Sequence, residues 1–95
     1  MYTRVTSFKV NATSLSDLPA KVKEMAAGAK ALPGIVDIYV SWRADGHGVV
    51  TSIYDSKTSA DSATSQIAAI WGSLAGMLSA APTTEAYDSV EHLVG

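Results

Sequence analysis

The sequence predicts an α+β sandwich, with two helices packed on one face of a four-stranded antiparallel sheet. The apolar pattern changes along the 95 residues in the order strand, helix, strand, strand, helix, strand. An Asp45-Gly46 pair between the two middle strands is a strong hairpin signal, and positions 62–84 carry no charged residue. A chain of this length forms one domain, residues 1–95.

Residue type and spacing predict the first strand and the first helix. β-branched and aromatic residues dominate Tyr2 to Val10, which is typical of a strand. In the loop that follows, Ser14 or Ser16 could cap a helix. That helix covers about Leu18 to Leu32, because apolar residues recur at steps of three and four: Leu18, Val22, Met25, Ala29 and Leu32. Pro33-Gly34 ends it.

The two middle strands, Ile35 to Arg43 and His47 to Asp55, form an antiparallel hairpin. A two-residue turn at Asp45-Gly46 places Trp42 opposite Val49. With that register one face is apolar and packs against the helices: Val36, Ile38, Val40, Trp42, Val49 and Ile53. The other face carries a mixed set: Asp37, Tyr39, Ser41, Arg43, Val50, Ser52 and Tyr54.

The second helix covers about Ser59 to Leu78, and Ser56 or Thr58 could cap it. Its large apolar residues fall on one stripe: Ile67, Ile70, Trp71, Leu74, Met77 and Leu78. Pro82 ends this segment, and Ala86 to Val94 forms the last strand. The βαββαβ order predicts the ferredoxin-like fold.

Composition indicates that the protein buries more surface than one copy can. Charged residues make up 17% of the chain, against about 25% on average. The second face of the sheet is too apolar for open water, so we expect it to pack against the same face of a second copy. The net charge of −2 gives no support for nucleic-acid binding. The sequence shows neither a signal peptide nor a membrane-spanning run, so we expect a cytoplasmic protein with no membrane partner.

Tyrosine and arginine side chains are the candidate ligand-binding groups. Tyr39 and Tyr54 share the second sheet face in the predicted register and could orient a phenolic or keto compound, or fill the dimer interface. Arg4 and Arg43 could hold an anion there, or form salt bridges at the rim. Trp71 could stack on an aromatic ligand, although its stripe position equally fits a core residue.

Acid–base residues are scarce. His92 on the last strand is the candidate proton acceptor, whereas His47 fits a turn residue at the hairpin tip. A lyase or isomerase would need His92, Asp37 or Glu91 as its base. Without cysteine or a clustered histidine motif, we expect no metal and no bound cofactor.

Three segments resemble the antibiotic biosynthesis monooxygenase-like domains of the dimeric α/β barrel superfamily. They are Leu32-Pro33-Gly34-Ile35-Val36-Asp37-Ile38-Tyr39-Val40, then Val49 to Tyr54, then Asp55-Ser56-Lys57 with Ala60. In element order the resemblance covers nearly the whole chain. It implies homodimers whose sheets face each other, with a pocket within the barrel or between the second helix and the sheet.

The resemblance implies several activities. Some such proteins oxidise aromatic compounds without metal or flavin, others degrade haem, and others are isomerases. The haem-degrading members use an Asn on the first strand and a Trp and a His on the second helix. Here Asn11 lies at the end of the strand and the helix has Trp71 but no His, which argues against haem degradation. Three hypotheses remain open: a cofactor-independent monooxygenase or binder of a small aromatic ligand, a non-catalytic interaction or regulatory module that uses the same dimer, and an isomerase or lyase of the same superfamily.

Overall fold

A computed structural model describes residues 1–94 of the chain. Four strands form one antiparallel sheet: Tyr2–Lys9 (β1), Ile35–Trp42 (β2), His47–Tyr54 (β3) and Thr83–Tyr87 (β4). Their order across the sheet is β2-β3-β1-β4, with β1 and β3 in the centre. This is the predicted four-stranded sheet of the ferredoxin-like fold, and the helices cover one of its faces.

The structure has three α-helices where two were predicted: Leu18–Lys30 (α1), Lys57–Ser62 (α2) and Thr64–Leu74 (α3). Pro19 lies in the first turn of α1, where its missing N–H has no helical partner to lose. The hydroxyl oxygen of Ser56 accepts a hydrogen bond from the N–H of Ser59 at 3.1 Å and caps α2. Short 3₁₀ helices precede α1 and follow α3, at Ala12–Asp17 and Ala75–Met77.

The predicted second helix is two helices. The break falls at Ala63, which is fully buried, as is Ala60 one turn earlier. Both alanines pack with Tyr2, Leu32 and Tyr54 in one of the two apolar clusters of the core. Because their side chains are small, the helical backbone can lie close to the tyrosine rings of the sheet.

The predicted register of the hairpin is wrong by one residue. The chain turns through a three-residue loop, in which the N–H of Gly46 donates to the carbonyl of Arg43 at 3.0 Å. Gly46 has φ of 90°, the left-handed conformation that such loops place in their last position. Trp42 therefore lies opposite Gly48 instead of Val49, and Val40 lies opposite Val50.

This shift exchanges the two faces of β3. The inner face of the sheet, towards the helices, carries Val50, Ser52 and Tyr54. The outer face carries Val49, Thr51 and Ile53, together with Tyr39 of β2. The prediction that Tyr39 and Tyr54 share a face is therefore wrong: Tyr54 is fully buried inside, whereas Tyr39 is 58% exposed on the outside.

The last strand begins earlier than predicted. β4 spans Thr83–Tyr87 and pairs with Thr3 to Ser7 of β1, so Pro82 comes directly before a strand. The hydroxyls of Thr6 and Thr84 lie 2.9 Å apart across this pair. β-branched Thr83 and Thr84 favour the extended backbone, and the predicted strand at Ala86 to Val94 overlaps β4 in only two residues.

Candidate functional site

A cavity of about 650 Å³ lies between the helices and the inner face of the sheet. Small side chains account for much of this space, because Ala26 and Ala29 of α1 and Ala68 of α3 stand where larger residues would fill the core. Its largest wall is aliphatic: Val22, Met25, Leu32, Ile38, Val40, Val50, Ile67, Ile70 and Leu74. Such a wall favours an apolar occupant over water.

Arg4 supplies the cationic group of the cavity. Its guanidinium donates to the backbone carbonyl of Ala60 and to the carboxylate of Asp61, each at 3.1 Å. It also lies 3.5 Å from the hydroxyl of Thr64, at the start of α3. These contacts fix Arg4 against the break between α2 and α3, and Asp61 compensates its charge.

Tyr54 supplies a buried phenol. Its side chain is fully buried at the cavity wall, next to Ser52. Burial raises the pKa of Tyr54, while the positive charge of Arg4 and a side-chain hydrogen bond with Ser52 oppose that effect. The phenol therefore stays protonated at neutral pH.

Trp71 supplies the aromatic surface. Its indole lines the cavity from α3, and its ring centroid is 5.8 Å from that of Phe8 with the planes tilted by 53°. Phe8 in turn lies over Gly48, where a Cβ atom would come within 2.2 Å of the Phe8 ring. This packing holds the indole at the cavity wall in one orientation.

The structure brings together three of the residues selected from the sequence. Arg4, Tyr54 and Trp71 all line the cavity. Arg43 does not: it is exposed, pairs with Asp45 at 3.4 Å and lines a separate pocket of about 330 Å³ near His47.

The remaining candidates also lie away from the cavity. Tyr39 is on the outer face and donates to the carboxylate of Asp37 at 2.7 Å, which raises the pKa of Tyr39. His92 is not on the last strand as predicted, because β4 ends at Tyr87; His92 and Glu91 are exposed beyond it.

Several cavity residues were missed by reasoning from the sequence. Thr64, Ser52 and Val50 line the cavity, although Val50 and Ser52 were assigned to the other face. The signal that could have found them is Gly46 after Ala44-Asp45, since a three-residue loop with a final glycine is a common hairpin connection. No comparable signal in the sequence marks Thr64.

The described residues offer no group of three or more His, Cys, Asp or Glu side chains that could hold a metal ion. Within residues 1–94, no helix is both long and apolar enough to cross a membrane.

Solved structures share this architecture over nearly the whole chain. One is a protein of unknown function from Nitrosomonas europaea (TM-score 0.83, 12% identity, 99% of this chain and 93% of that chain). Two are named "putative antibiotic biosynthesis monooxygenase". The one from Deinococcus radiodurans has a TM-score of 0.80 and 15% identity, over 99% of this chain and 97% of that chain. The one from Caulobacter crescentus has a TM-score of 0.78 and 21% identity, over 95% of this chain and 90% of that chain.

The chain has the fold of these proteins. The resemblance to antibiotic biosynthesis monooxygenase-like domains is thus confirmed for the fold, from the first strand to the last. No protein-family model matches the sequence, and no curated protein matches it either. At 12–21% identity the similarity establishes architecture, so the chemistry has to be argued from the cavity itself.

Proposed function

We propose that the cavity between the helices and the sheet binds a small, largely apolar aromatic or phenolic compound. Its volume carries this proposal, because about 650 Å³ falls within the roughly 300–1,000 Å³ of pockets that enclose drug-sized ligands. The aliphatic wall would release water on binding, and Trp71 would contact the flat face of a ring. The polar groups of the lining that could orient it are Arg4 and the hydroxyls of Thr6, Ser52, Thr64 and Thr84.

The reaction we propose for this site is oxygenation of the bound compound by O₂, without metal or flavin, as the resemblance implies. A ring methylene of the keto tautomer loses a proton, and the resulting carbanion reacts with O₂. Overall CH₂ becomes C=O: O₂ accepts four electrons, one oxygen atom enters the product and the other leaves as water. The names of the Deinococcus and Caulobacter structures support this class of reaction.

Ligand binding without chemistry is the second candidate. No histidine, aspartate or glutamate is found among the described residues that line the cavity, so the wall supplies no ordinary general base. The substrate of an oxygenase must then be acidic enough to lose its proton without a general base from the cavity wall. For the same reason the described cavity gives no support to an isomerase or lyase, which depends on a positioned base.

Paired substitutions on β3 test the location of binding. Val50 faces the cavity and its neighbour Val49 faces outward. We expect Val50→Phe to fill the space and weaken binding of 2-acetylnaphthalene at least about tenfold by calorimetry. Val49→Phe adds the same ring outside the cavity and should leave affinity within about twofold. Equal losses in both variants, or no binding by the folded wild-type protein, would rule out the proposed site.

Oxygen uptake separates the two candidate functions. A panel of quinols and polycyclic phenols is incubated with wild-type protein and with Val50→Phe in an oxygen electrode. Uptake by the wild type that exceeds the spontaneous rate, and that falls in Val50→Phe, supports the oxygenase. Binding of the same compounds with no excess uptake supports the non-catalytic module.

We also propose that the outer face of the sheet pairs with the same face of a second copy. No described helix covers this face, and Tyr39 of its edge strand is 58% exposed. A facing sheet would bury the apolar side chains and is the arrangement that the resemblance implies.

A further inference from the structure

Opposite charges lie at the two ends of the outer face of the sheet. The strand register arranges the side chains of this face in four rows that cross the strands. Row one is Asp37, Ile53, Thr3 and Tyr87; row two is Tyr39, Thr51, Val5 and Glu85; row three is Ser41, Val49, Ser7 and Thr83; row four is Arg43, His47 and Lys9. Within these rows the carboxylates lie in the first two, and the lysine and the arginine lie in the fourth.

A pocket of about 330 Å³ lies at the cationic end of this face. Outer-face residues of rows three and four line it: Ser7, Ser41, Val49, Arg43 and His47. Arg43 pairs with Asp45 at 3.4 Å, and both side chains are mostly exposed. Since a guanidinium has five N–H donors, Arg43 can receive a second carboxylate beside the pocket.

Tyr39 lies at the opposite, acidic end. Its side chain is 58% exposed, and its hydroxyl donates to the carboxylate of Asp37 at 2.7 Å. Tyrosines are enriched at protein interfaces, because they combine a large apolar ring with a polar tip. Since β2 also supplies Ser41 at the pocket, one edge strand carries both an exposed ring and part of a pocket.

Two sheets can face each other about a two-fold axis that runs across the strands or along them. With the axis across the strands, β2 lies over β2 of the partner, row one faces row four and row two faces row three. Asp37 then approaches Arg43 of the partner subunit, and Tyr39 approaches the partner's pocket. With the axis along the strands each row faces itself, so the cationic rows meet and Asp37 comes close to Glu85 of the partner subunit. Only the first arrangement brings unlike charges together.

We infer that two copies pair through their outer faces with the strands antiparallel, so that Tyr39 of each copy fills the pocket of the other and Asp37 meets Arg43 of the partner subunit. This inference rests on the pairing proposed above and adds its orientation and its contacts. Complementary charges across an interface fix its register and exclude the arrangement in which like charges meet. Because the axis is two-fold, each contact occurs twice.

A pair of matched tyrosines tests the contact with the pocket. Tyr87 resembles Tyr39, since it lies on the other edge strand, is 48% exposed and donates to the carboxylate of Glu85. In the inferred orientation it faces row four, to which β4 supplies no residue because β4 begins at Thr83 in row three. We expect Tyr39→Ala to raise the dissociation constant of the dimer at least about tenfold in sedimentation, and Tyr87→Ala to change it by less than about threefold.

A charge exchange tests the orientation. In Asp37→Lys, and separately in Arg43→Glu, like charges meet at both contacts, so each homodimer should dissociate at least about tenfold more readily than the wild type. In an equimolar mixture the mixed dimer has unlike charges at both contacts and should approach the wild-type affinity. Sedimentation with one variant fluorescently labelled measures this. Asp17→Lys and Lys23→Glu make the same charge changes at exposed positions on the helical side and should show no preference for a mixed dimer.

The outcomes separate the orientation from the pairing on which it rests. A wild-type protein that is monomeric at micromolar concentration would overturn the pairing, and this inference with it. A wild-type dimer with equal losses in Tyr39→Ala and Tyr87→Ala, or without preference for the mixed dimer, would overturn the orientation and leave the pairing standing. Circular dichroism establishes that each variant is folded.

Discussion

Gly34 joins the first helix to the second strand with φ of 65°, a conformation that L side chains rarely adopt. It also packs against the start of α2, where a Cβ atom would lie 2.3 Å from Oγ of Ser59 and 2.5 Å from Oδ1 of Asp55. The Pro33-Gly34 and Tyr54-Asp55-Ser56 segments, which carried the resemblance in the sequence, thus meet in space. Their shared role is to close the fold around the cavity.

We expect Gly34→Ala to lower the free energy of unfolding by about 1–3 kcal/mol, because of backbone strain and the contact with Ser59. Gly72→Ala is the matched control: Gly72 lies in α3 and a Cβ there meets nothing within 4 Å. That substitution should stabilise by about 0.5–1 kcal/mol. Urea unfolding measures both. Equal effects in the two variants would contradict this account of Gly34.

Single residues differ in how far the sequence reveals their role. The helical spacing around Trp71 places it between helix and sheet, and the structure has it there at the cavity wall. The side that Tyr54 faces depends on a loop ten to eight residues upstream, and the sequence leaves the length of that loop open. The complete burial of Tyr54 depends on all the surrounding elements, so it can be recognised only in three dimensions.

At the scale of elements, the start of α2 tests the capping assignment. The sequence offered Ser56 and Thr58 as caps, and the structure selects Ser56. Ser56→Ala should lower the free energy of unfolding by about 1 kcal/mol, because the Ser59 N–H loses its acceptor. Thr58→Ala should change it by less than about 0.5 kcal/mol, since the Thr58 hydroxyl makes no hydrogen bond within the described chain. A larger loss in Thr58→Ala, measured by denaturant unfolding, would contradict this.

Strand and helix identities were predictable because local patterns determine them, whereas registers and ends were not. The alternation of apolar and polar residues identified both hairpin strands. Their pairing differs from the predicted register by one residue, because Gly46 adopts a left-handed conformation in the connecting loop. The apolar stripe identified the second helix but gave no sign of its break at Ala63. The position of the last strand is set by pairing with β1, so composition alone placed it too far along the chain.

At the scale of the whole molecule, the topology was predictable because the order of the elements permits few alternatives. The cavity was not, although its cause is visible in the composition. Alanines on both covering helices leave space that the large residues of the sheet do not fill. The low content of charged residues led us to predict a second buried face of the sheet. Part of that low content is explained instead by the uncharged residues that line the cavity inside one copy.

A charge on the outer face tests the proposed pairing of two copies. We expect the wild-type protein to sediment at twice the protomer mass at micromolar concentration. Ile53→Lys places a charge on the outer face of β3, a central strand, and should give protomers, because burying an unpaired ammonium is costly. Ala69→Lys on the exposed side of α3 is the control and should leave the dimer intact. A monomeric wild type, or equal dissociation of both variants, would contradict the pairing.

The position of a bound ligand tests the central claim most directly. Intermolecular nuclear Overhauser effects can be recorded between 2-acetylnaphthalene and the methyl groups of isotopically labelled protein. We predict contacts from the naphthalene protons to the methyls of Val50, Ile70 and Leu74, which line the cavity between the helices and the sheet. Contacts confined to Val49 and Ile53 on the outer face would contradict the claim that this cavity is the binding site.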